Sequence, residues 1–137
     1  PSAVADRTAL AIICDAYAEE HLEKESRTVM RIHPRLAPIK AAVLPLVKKD
    51  GLAEIASDFE KKLRKKFTTF YDQAGAIGRR YRRMDEAGTP FCICIDYETK
   101  DNETVTIRER DSMEQTRIPM ADVATYVESR CSHERSD

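Results

Sequence analysis

The sequence predicts an α/β fold in which a mixed sheet of five strands is flanked by helices. Two observations support this prediction. Residues 39–72 contain an apolar strand, an amphipathic helix and a second strand, which is the order of a βαβ unit with parallel strands. Residues 90–119 then contain another apolar strand and a hairpin, which adds antiparallel pairs to the same sheet.

The composition is that of a globular protein. The chain has 137 residues, of which 42% are hydrophobic and 34% charged, and this excludes an intrinsically disordered protein. No apolar run approaches the roughly 20 residues of a membrane helix, so we expect no membrane association. No segment resembles a signal peptide, and the cysteines show no disulfide framework. We therefore expect a cytoplasmic location.

The chain is predicted to divide near Arg31. Residues 2–20 predict one amphipathic helix, and residues 21–30 are polar and irregular, which predicts a linker. The composition changes after this segment. We therefore expect residues 1–30 to form one unit and residues 31–137 to form the compact domain.

The βαβ unit is predicted from three patterns. Residues 39–47 (IKAAVLPLV) are almost continuously apolar, which indicates a strand covered on both faces. Residues 52–67 place apolar side chains at helical spacing, and residues 68–72 are β-branched and aromatic, as in a strand.

A short arginine-rich helix is predicted to begin at about Ala76. Ile77, Tyr81 and Met84 share one apolar side of it, and arginines occupy the other. Gly88 suits the left-handed residue that follows a helix, and the proline two residues later prevents continuation.

The next strand contains two cysteines. Cys92 and Cys94 alternate with apolar residues, so both are predicted to be buried. The three histidines have no metal-like spacing to the cysteines, and we expect no metal site.

Residues 104–119 are predicted to form a hairpin about Asp111 and Ser112, followed by a helix over residues 121–132. In this register Val105 faces Ile118 on the core side, and Arg108 lies opposite Gln115 on the other face. A turn is expected at residues 100–102.

The charges are segregated although the net charge is only −1. Residues 61–83 contain nine basic residues and one acidic residue, which suits a polyanionic partner. We expect Lys62 and Lys65 to contact phosphates without regard to sequence. The candidate RNA-binding residues are Arg79, Arg82, Arg83, Arg108, Glu109, Arg110, Asp111, Glu114 and Gln115. The alternative is that these charges form structural salt bridges with one another.

Motifs of the common enzyme classes are absent from the sequence: there is no nucleophile elbow, phosphate-binding loop or dinucleotide fingerprint. We predict no catalytic residue in this chain.

Three stretches carry a family resemblance: HPRLAPIKAAVLPLVKKDGL, YDQAGAIGRRYRRMDEAGTPFC and TVTIRERDSMEQTRIP. They resemble the C-terminal anticodon-binding domain of the glycyl-tRNA synthetases of the homodimeric class II type. This resemblance implies the anticodon-binding fold of class IIa aminoacyl-tRNA synthetases, and it implies the anticodon stem-loop of tRNA(Gly) as the partner.

The N-terminal stretch PSAVADRTALAIICDAY is similar to motif 3 at the end of the catalytic domain in that family. Pro1, Ser2 and Arg7 match the motif, whereas Val4 stands where the motif has glycine. The resemblance implies that Arg7 contacts ATP in a full-length homodimeric glycine–tRNA ligase that uses ATP and Mg²⁺. The chain itself is expected to be inactive.

Glycine anticodons end in two cytosines. A carboxylate from Glu109, Asp111 or Glu114, paired with Arg108 or Arg110, has the acceptor and donors that match a cytosine edge. The alternative function is a synthetase-like α/β module that binds a protein or RNA without ligase activity, because a fold alone does not fix a function.

Overall fold

The computed structural model describes residues 5–132. The expectations for Pro1, Ser2, Val4 and the tail after residue 132 lie outside these residues. In chain order the elements are α1 (Ala5–Ala16), β1 (Tyr17–His21), β2 (Ser26–Met30), β3 (Ala41–Pro45), α2 (Leu52–Leu63), β4 (Thr69–Tyr71), α3 (Ile77–Ala87), β5 (Phe91–Ile95), α4 (Tyr97–Asn102), β6 (Thr104–Glu109), β7 (Gln115–Pro119) and α5 (Val123–Cys131). A single 3-10 turn, Met120–Asp122, leads into α5.

The main sheet has five strands in the order β4–β3–β5–β6–β7. Strand β3 pairs in parallel with β4 and with β5, whereas β5–β6 and β6–β7 are antiparallel. The predicted α/β fold with a mixed five-stranded sheet is therefore confirmed. The predicted hairpin register is confirmed as well, since Val105 lies opposite Ile118 and Arg108 opposite Gln115.

Helices cover both faces of this sheet. On one face, Val43, Ile93 and Ile107 pack in a core with α2 and α5, which contribute buried residues such as Leu52 and Val127. All five residues of β3 and of β5 are buried, as expected for central strands.

Helix α3 covers the opposite face. Its residues Ile77, Tyr81 and Met84 pack against a core that includes Leu44 and Cys92, which confirms the predicted apolar seam. The helix ends where the sequence predicts, at Gly88, which has a φ of 79°.

Residues 17–30 differ from the prediction. The helix ends at Ala16, and the segment that was expected to be the end of the helix and a linker is an antiparallel hairpin of β1 and β2. The prediction was wrong because residues 21–30 are polar in composition, although β2 alternates in burial. Arg27 and Val29 are buried, whereas the intervening positions are less so, which is the period of a half-covered strand.

The predicted turn at residues 100–102 is also wrong, because these residues end helix α4. The carboxylate of Asp96 accepts from the backbone N–H of Thr99, and the hydroxyl of Thr99 accepts from the N–H of Asp96. This capping box begins the helix directly after β5.

Within residues 5–132, no helix combines the length and apolarity needed to cross a bilayer. The same residues contain no group of three or more His, Cys, Asp or Glu side chains placed to hold a metal ion.

Candidate functional site

A cavity of about 580 Å³ lies where the beginning of α3 meets the β6–β7 hairpin and the turn of the β1–β2 hairpin. We call it the α3 pocket. It is lined by Glu25, Ala76, Gly78, Arg79, Tyr81, Arg82, Arg108, Met113 and Gln115. Four of the predicted RNA-binding residues thus meet in one place, although they come from two separate segments of the chain.

Two of these side chains are free to bind a ligand. Arg79 and Gln115 are exposed, and neither side chain has a hydrogen-bond or ion-pair partner among the described residues. A guanidinium supplies several donors in a plane, and an amide supplies both a donor and an acceptor. Together they suit a ligand that presents polar edges.

Tyr81 supplies an aromatic wall. Burial raises the pKa of its phenol, so the ring stays neutral at physiological pH. The guanidinium of Arg108 lies 4.9 Å from the centre of this ring, a cation–π distance.

Arg108 is held in place rather than free. Only 3% of the residue is exposed, and its two terminal nitrogens donate to the two carboxylate oxygens of Asp85 at 2.8 and 3.1 Å. This is a bidentate pair, which fixes the plane of the guanidinium as well as its position.

Asp85 is fully buried and also accepts from Arg27 at 3.1 Å. Arg27 in turn donates to Glu20 at 2.6 Å and to the backbone carbonyls of Arg110 and Asp111 at 2.7 and 3.2 Å. This buried cluster joins β2, α3 and the β6–β7 hairpin. The sequence does not predict this cluster, because the polar composition of residues 21–30 indicates a linker.

Arg82 lies between the buried cluster and the pocket. Its guanidinium pairs with Glu25 and lies 3.4 Å from Asp85. Arg82 is partly exposed, so it is less available for a ligand than Arg79.

Three further candidates lie elsewhere, in a second cavity of about 270 Å³ near the tip of the β6–β7 hairpin. Arg110 is only 2% exposed, and its guanidinium donates to the side chain of Asp111 and to the carbonyl of Gly88. Glu109 faces α5 and accepts from the hydroxyl of Tyr126 at 2.7 Å.

The geometry does not favour a base reader built from Arg108 and Glu109, although Arg110 does pair with Asp111 at the hairpin tip. Adjacent residues of a strand point to opposite faces, so Glu109 and Arg108 lie on opposite sides of the sheet. Both arginines have their guanidinium groups occupied by protein partners. The contact of each residue with RNA stays a prediction, and the geometry favours Arg79 and Gln115.

The remaining candidates are on the surface. Glu114 is exposed, and its side chain has no partner among the described residues. Arg83 is paired with Asp72 at 2.6 Å and with the carbonyl of Ala74. Arg7 is exposed on α1, and its predicted ATP contact stays a prediction.

Arg80, the remaining arginine of α3, has a structural role. It is 1% exposed and donates to the carbonyls of Pro45, Leu46 and Asp72. It therefore satisfies carbonyls at the ends of β3 and β4.

The two strand cysteines have the character of core residues. Burial raises the pKa of Cys92 to about 12 and that of Cys94 to about 11. Thiols with such pKa values stay protonated at neutral pH, so neither is an activated nucleophile.

A family model described as "Anticodon binding domain" matches residues 40–130 of this chain. The match covers the whole five-stranded sheet with α2, α3, α4 and α5. It begins after the β1–β2 hairpin, so Glu25 and Arg27 lie outside it.

Curated relatives have the name glycine–tRNA ligase. The chain is 54% identical over 135 residues to that protein from Rhodopirellula baltica and 53% identical over 133 residues to that from Treponema denticola. These alignments cover 95% and 93% of this chain but only 25% and 30% of the relatives. The chain thus spans between a quarter and a third of their length.

Solved structures show the same fold in more distant proteins. The RNA binding domain of threonyl-tRNA synthetase from Cryptosporidium parvum superposes with a TM-score of 0.66 at 21% identity, covering 73% of this chain and 25% of that one. Prolyl-tRNA synthetase from the same organism gives 0.66 at 19% identity, covering 73% and 22%.

Proposed function

Because the chain belongs to the anticodon binding domain family, we propose that it recognises the anticodon stem-loop of tRNA(Gly) as part of a glycine–tRNA ligase. The identity above 50% to proteins of that name supports the choice of glycine over other amino acids. The fold alone would not, since threonyl- and prolyl-tRNA synthetases have it too.

The observation that carries this proposal is the α3 pocket. It combines an aromatic ring, a free guanidinium and a free amide within one open cavity. Proteins bind single-stranded RNA loops through aromatic, arginine and amide side chains. The unstacked bases stack on the aromatic rings, and the base edges accept hydrogen bonds from the arginine and amide groups.

The pocket also suits an anion. Arg79 has no ion-pair partner among the described residues, and the same cavity is lined by the guanidinium groups of Arg82 and Arg108, which are paired with Glu25 and Asp85. An arginine at such a place binds phosphate oxygens bidentately, which holds an RNA backbone while bases enter the pocket.

The activity of the whole protein is part of the same proposal. Residues 1–30 correspond to the end of the catalytic domain, with Arg7 as an ATP contact, and residues 31–137 form the anticodon-binding domain. Glycylation of tRNA requires the remaining part of a longer, homodimeric, cytoplasmic enzyme, which binds ATP and Mg²⁺. Within that enzyme this chain contributes RNA recognition and the Arg7 contact with ATP.

The experiment is a fluorescence-anisotropy titration of the 137-residue chain with a labelled tRNA(Gly) anticodon stem-loop. A stem-loop of the same stem with an unrelated anticodon is the matched control. We expect tighter binding of the glycine anticodon and an affinity that falls with salt, since phosphate contacts release counterions. Equal binding of both RNAs, or no salt-sensitive binding, contradicts the proposal and favours a protein-interaction module.

A further inference from the structure

The β1–β2 hairpin adds a carboxylate to the α3 pocket. Glu25 lies in the turn between the two strands, and its side chain is 56% exposed. Among the described residues that line the pocket, Glu25 is the only acidic one. It lies outside residues 40–130, so the family match does not account for it.

Hydrogen bonds hold the β1–β2 hairpin, which contains Glu25, against α3 and the β6–β7 hairpin. Arg27, two residues further along, is buried and donates to Asp85 of α3 at 3.1 Å. The same guanidinium donates to the carbonyls of Arg110 and Asp111 in the β6–β7 hairpin. Glu25 is thus held close to a buried contact between three elements, and its place beside the pocket is determined by the fold.

One carboxylate oxygen of Glu25 is available to accept a hydrogen bond from a ligand. Its Oε1 accepts from the guanidinium of Arg82, and its Oε2 has no partner among the described residues. The pair therefore presents a carboxylate acceptor beside a cationic donor group. A cytosine edge has an exocyclic amino group that donates and a ring nitrogen and carbonyl oxygen that accept, so its pattern is complementary to this pair.

We propose that Glu25 determines specificity in the α3 pocket by accepting a hydrogen bond from the amino group of an anticodon cytosine. This inference rests on the proposed function, because it concerns the base that the pocket selects. Uracil has a carbonyl oxygen in place of the amino group, and that oxygen faces the carboxylate as a second acceptor. The pocket therefore rejects uracil at one of the two cytosine positions.

The test replaces Glu25 with Gln. The amide is nearly isosteric with the carboxylate, but its NH₂ group donates to the uracil carbonyl. Glu23→Gln is the matched control, because Glu23 is an exposed acid of the same turn that does not line the pocket. The affinities of the 137-residue protein and both variants are measured for the glycine anticodon stem-loop and for two stem-loops with a single cytosine changed to uridine.

For the unchanged protein we expect one of the two uridine changes to weaken binding about tenfold or more, as for the loss of one good base contact. Glu25→Gln should abolish this preference at that position only, and Glu23→Gln should leave it intact. Glu25→Asp, which keeps the charge, should retain the preference for cytosine with weaker binding.

The outcomes separate this inference from the proposed function. If the protein prefers the glycine anticodon and Glu25→Gln keeps the full preference for cytosine, Glu25 is not the specificity residue but the proposed function stands. If Glu25→Gln loses the same affinity for all three RNAs, Glu25 affects the structure of the pocket or its contact with the RNA backbone and does not select a base. This result also overturns the inference. If the unchanged protein does not distinguish the glycine anticodon from an unrelated one, the proposed function itself is wrong.

Discussion

Asp85 and Arg108 form a bidentate ion pair in the interior, with nitrogen–oxygen distances of 2.8 and 3.1 Å between α3 and β6. Neither side chain is available to solvent, and Arg27 approaches the same carboxylate from the β1–β2 hairpin. One buried carboxylate thus binds two buried arginines from distant parts of the chain, and Glu20 supplies the second negative charge through its pair with Arg27. The walls of the α3 pocket are joined by this contact.

Asp85→Asn is expected to destabilise the protein by about 3–5 kcal/mol, because it leaves the guanidinium of Arg108 buried without a compensating charge and leaves Arg27 with Glu20 as its remaining carboxylate. Urea unfolding followed by circular dichroism measures the loss. Glu86→Gln is the matched control, since Glu86 is the exposed acid next to it on α3, and its replacement should change stability by less than about 0.5 kcal/mol. Equal stability of the two variants would show that the buried pair is dispensable.

Gly88→Ala is expected to cost more stability than Gly51→Ala. Both glycines have a left-handed backbone, with φ of 79° and 80°, which costs an L-residue about 1–2 kcal/mol. Only at Gly88 would the added Cβ also approach other atoms, Ile32 Cδ1 at 2.9 Å and Met30 Cβ at 3.3 Å, whereas nothing lies within 4 Å at Gly51. Thermal unfolding of both variants checks the order, and a smaller loss at Gly88 would contradict the close packing of β2 on α3.

Arg79→Ala is expected to weaken binding of the anticodon stem-loop by about 1–3 kcal/mol without loss of stability, because its guanidinium is exposed at the pocket and has no partner among the residues that the structure describes. Arg35→Ala serves as the control, because Arg35 is exposed away from the pocket and its guanidinium likewise has no partner within residues 5–132. Anisotropy titrations measure the affinities, and thermal unfolding checks the fold. If both variants lose the same affinity, Arg79 contributes only through the net positive charge of the protein and not through a contact in the pocket.

Lys62 and Lys65 were expected from the sequence to contact phosphates. Lys62 lies in α2 and Lys65 lies two residues after its end, and α2 packs on the face of the sheet opposite to α3 and its pocket. We therefore expect the double change Lys62→Ala and Lys65→Ala to reduce stem-loop affinity less than Arg79→Ala alone. A larger and equally salt-sensitive loss would instead indicate that the RNA extends around the domain to α2.

Acid should weaken the fold in part through Asp96. Burial raises the pKa of this carboxyl group, but the hydrogen bonds from Arg117 and from the N–H of Thr99 outweigh burial and hold the pKa below its ordinary value of 3.8. Such a group stabilises the folded protein above its unfolded pKa, and this contribution is lost as the pH falls through the lower folded pKa. Asp96→Asn should therefore flatten the loss of thermal stability below about pH 4, whereas Asp101→Asn, at an exposed site, should not.

Much of the architecture is predictable because it is encoded locally. The spacing of apolar residues predicts α2 and α3, and Gly88 marks the end of α3 through its left-handed backbone. The alternation in residues 104–119 predicts the register of the β6–β7 hairpin, since a shift by one residue would move every side chain to the other face. The resemblance to the anticodon-binding domain is confirmed by the family match.

The roles of individual charges are not predictable in this way. Arg79, Arg80 and Arg108 are alike in chemistry, yet the first is exposed and unpaired, the second binds backbone carbonyls and the third is buried against a carboxylate. A sequence pattern specifies which side of a helix or strand a residue occupies. It does not specify which distant group lies opposite that side.

The sequence by itself therefore determined the α/β fold, the order of β3 to β7 with α2, α3 and α5, and the family, because these follow from local periodicity, turn residues and motif content. Only the tertiary structure decided that residues 17–30 form part of the site and that Arg27 meets a carboxylate 58 positions away in the chain. The physical reason is that a buried charge is stabilised by whatever partner folding brings to it. That partner is a property of packing between elements, and no local pattern contains it.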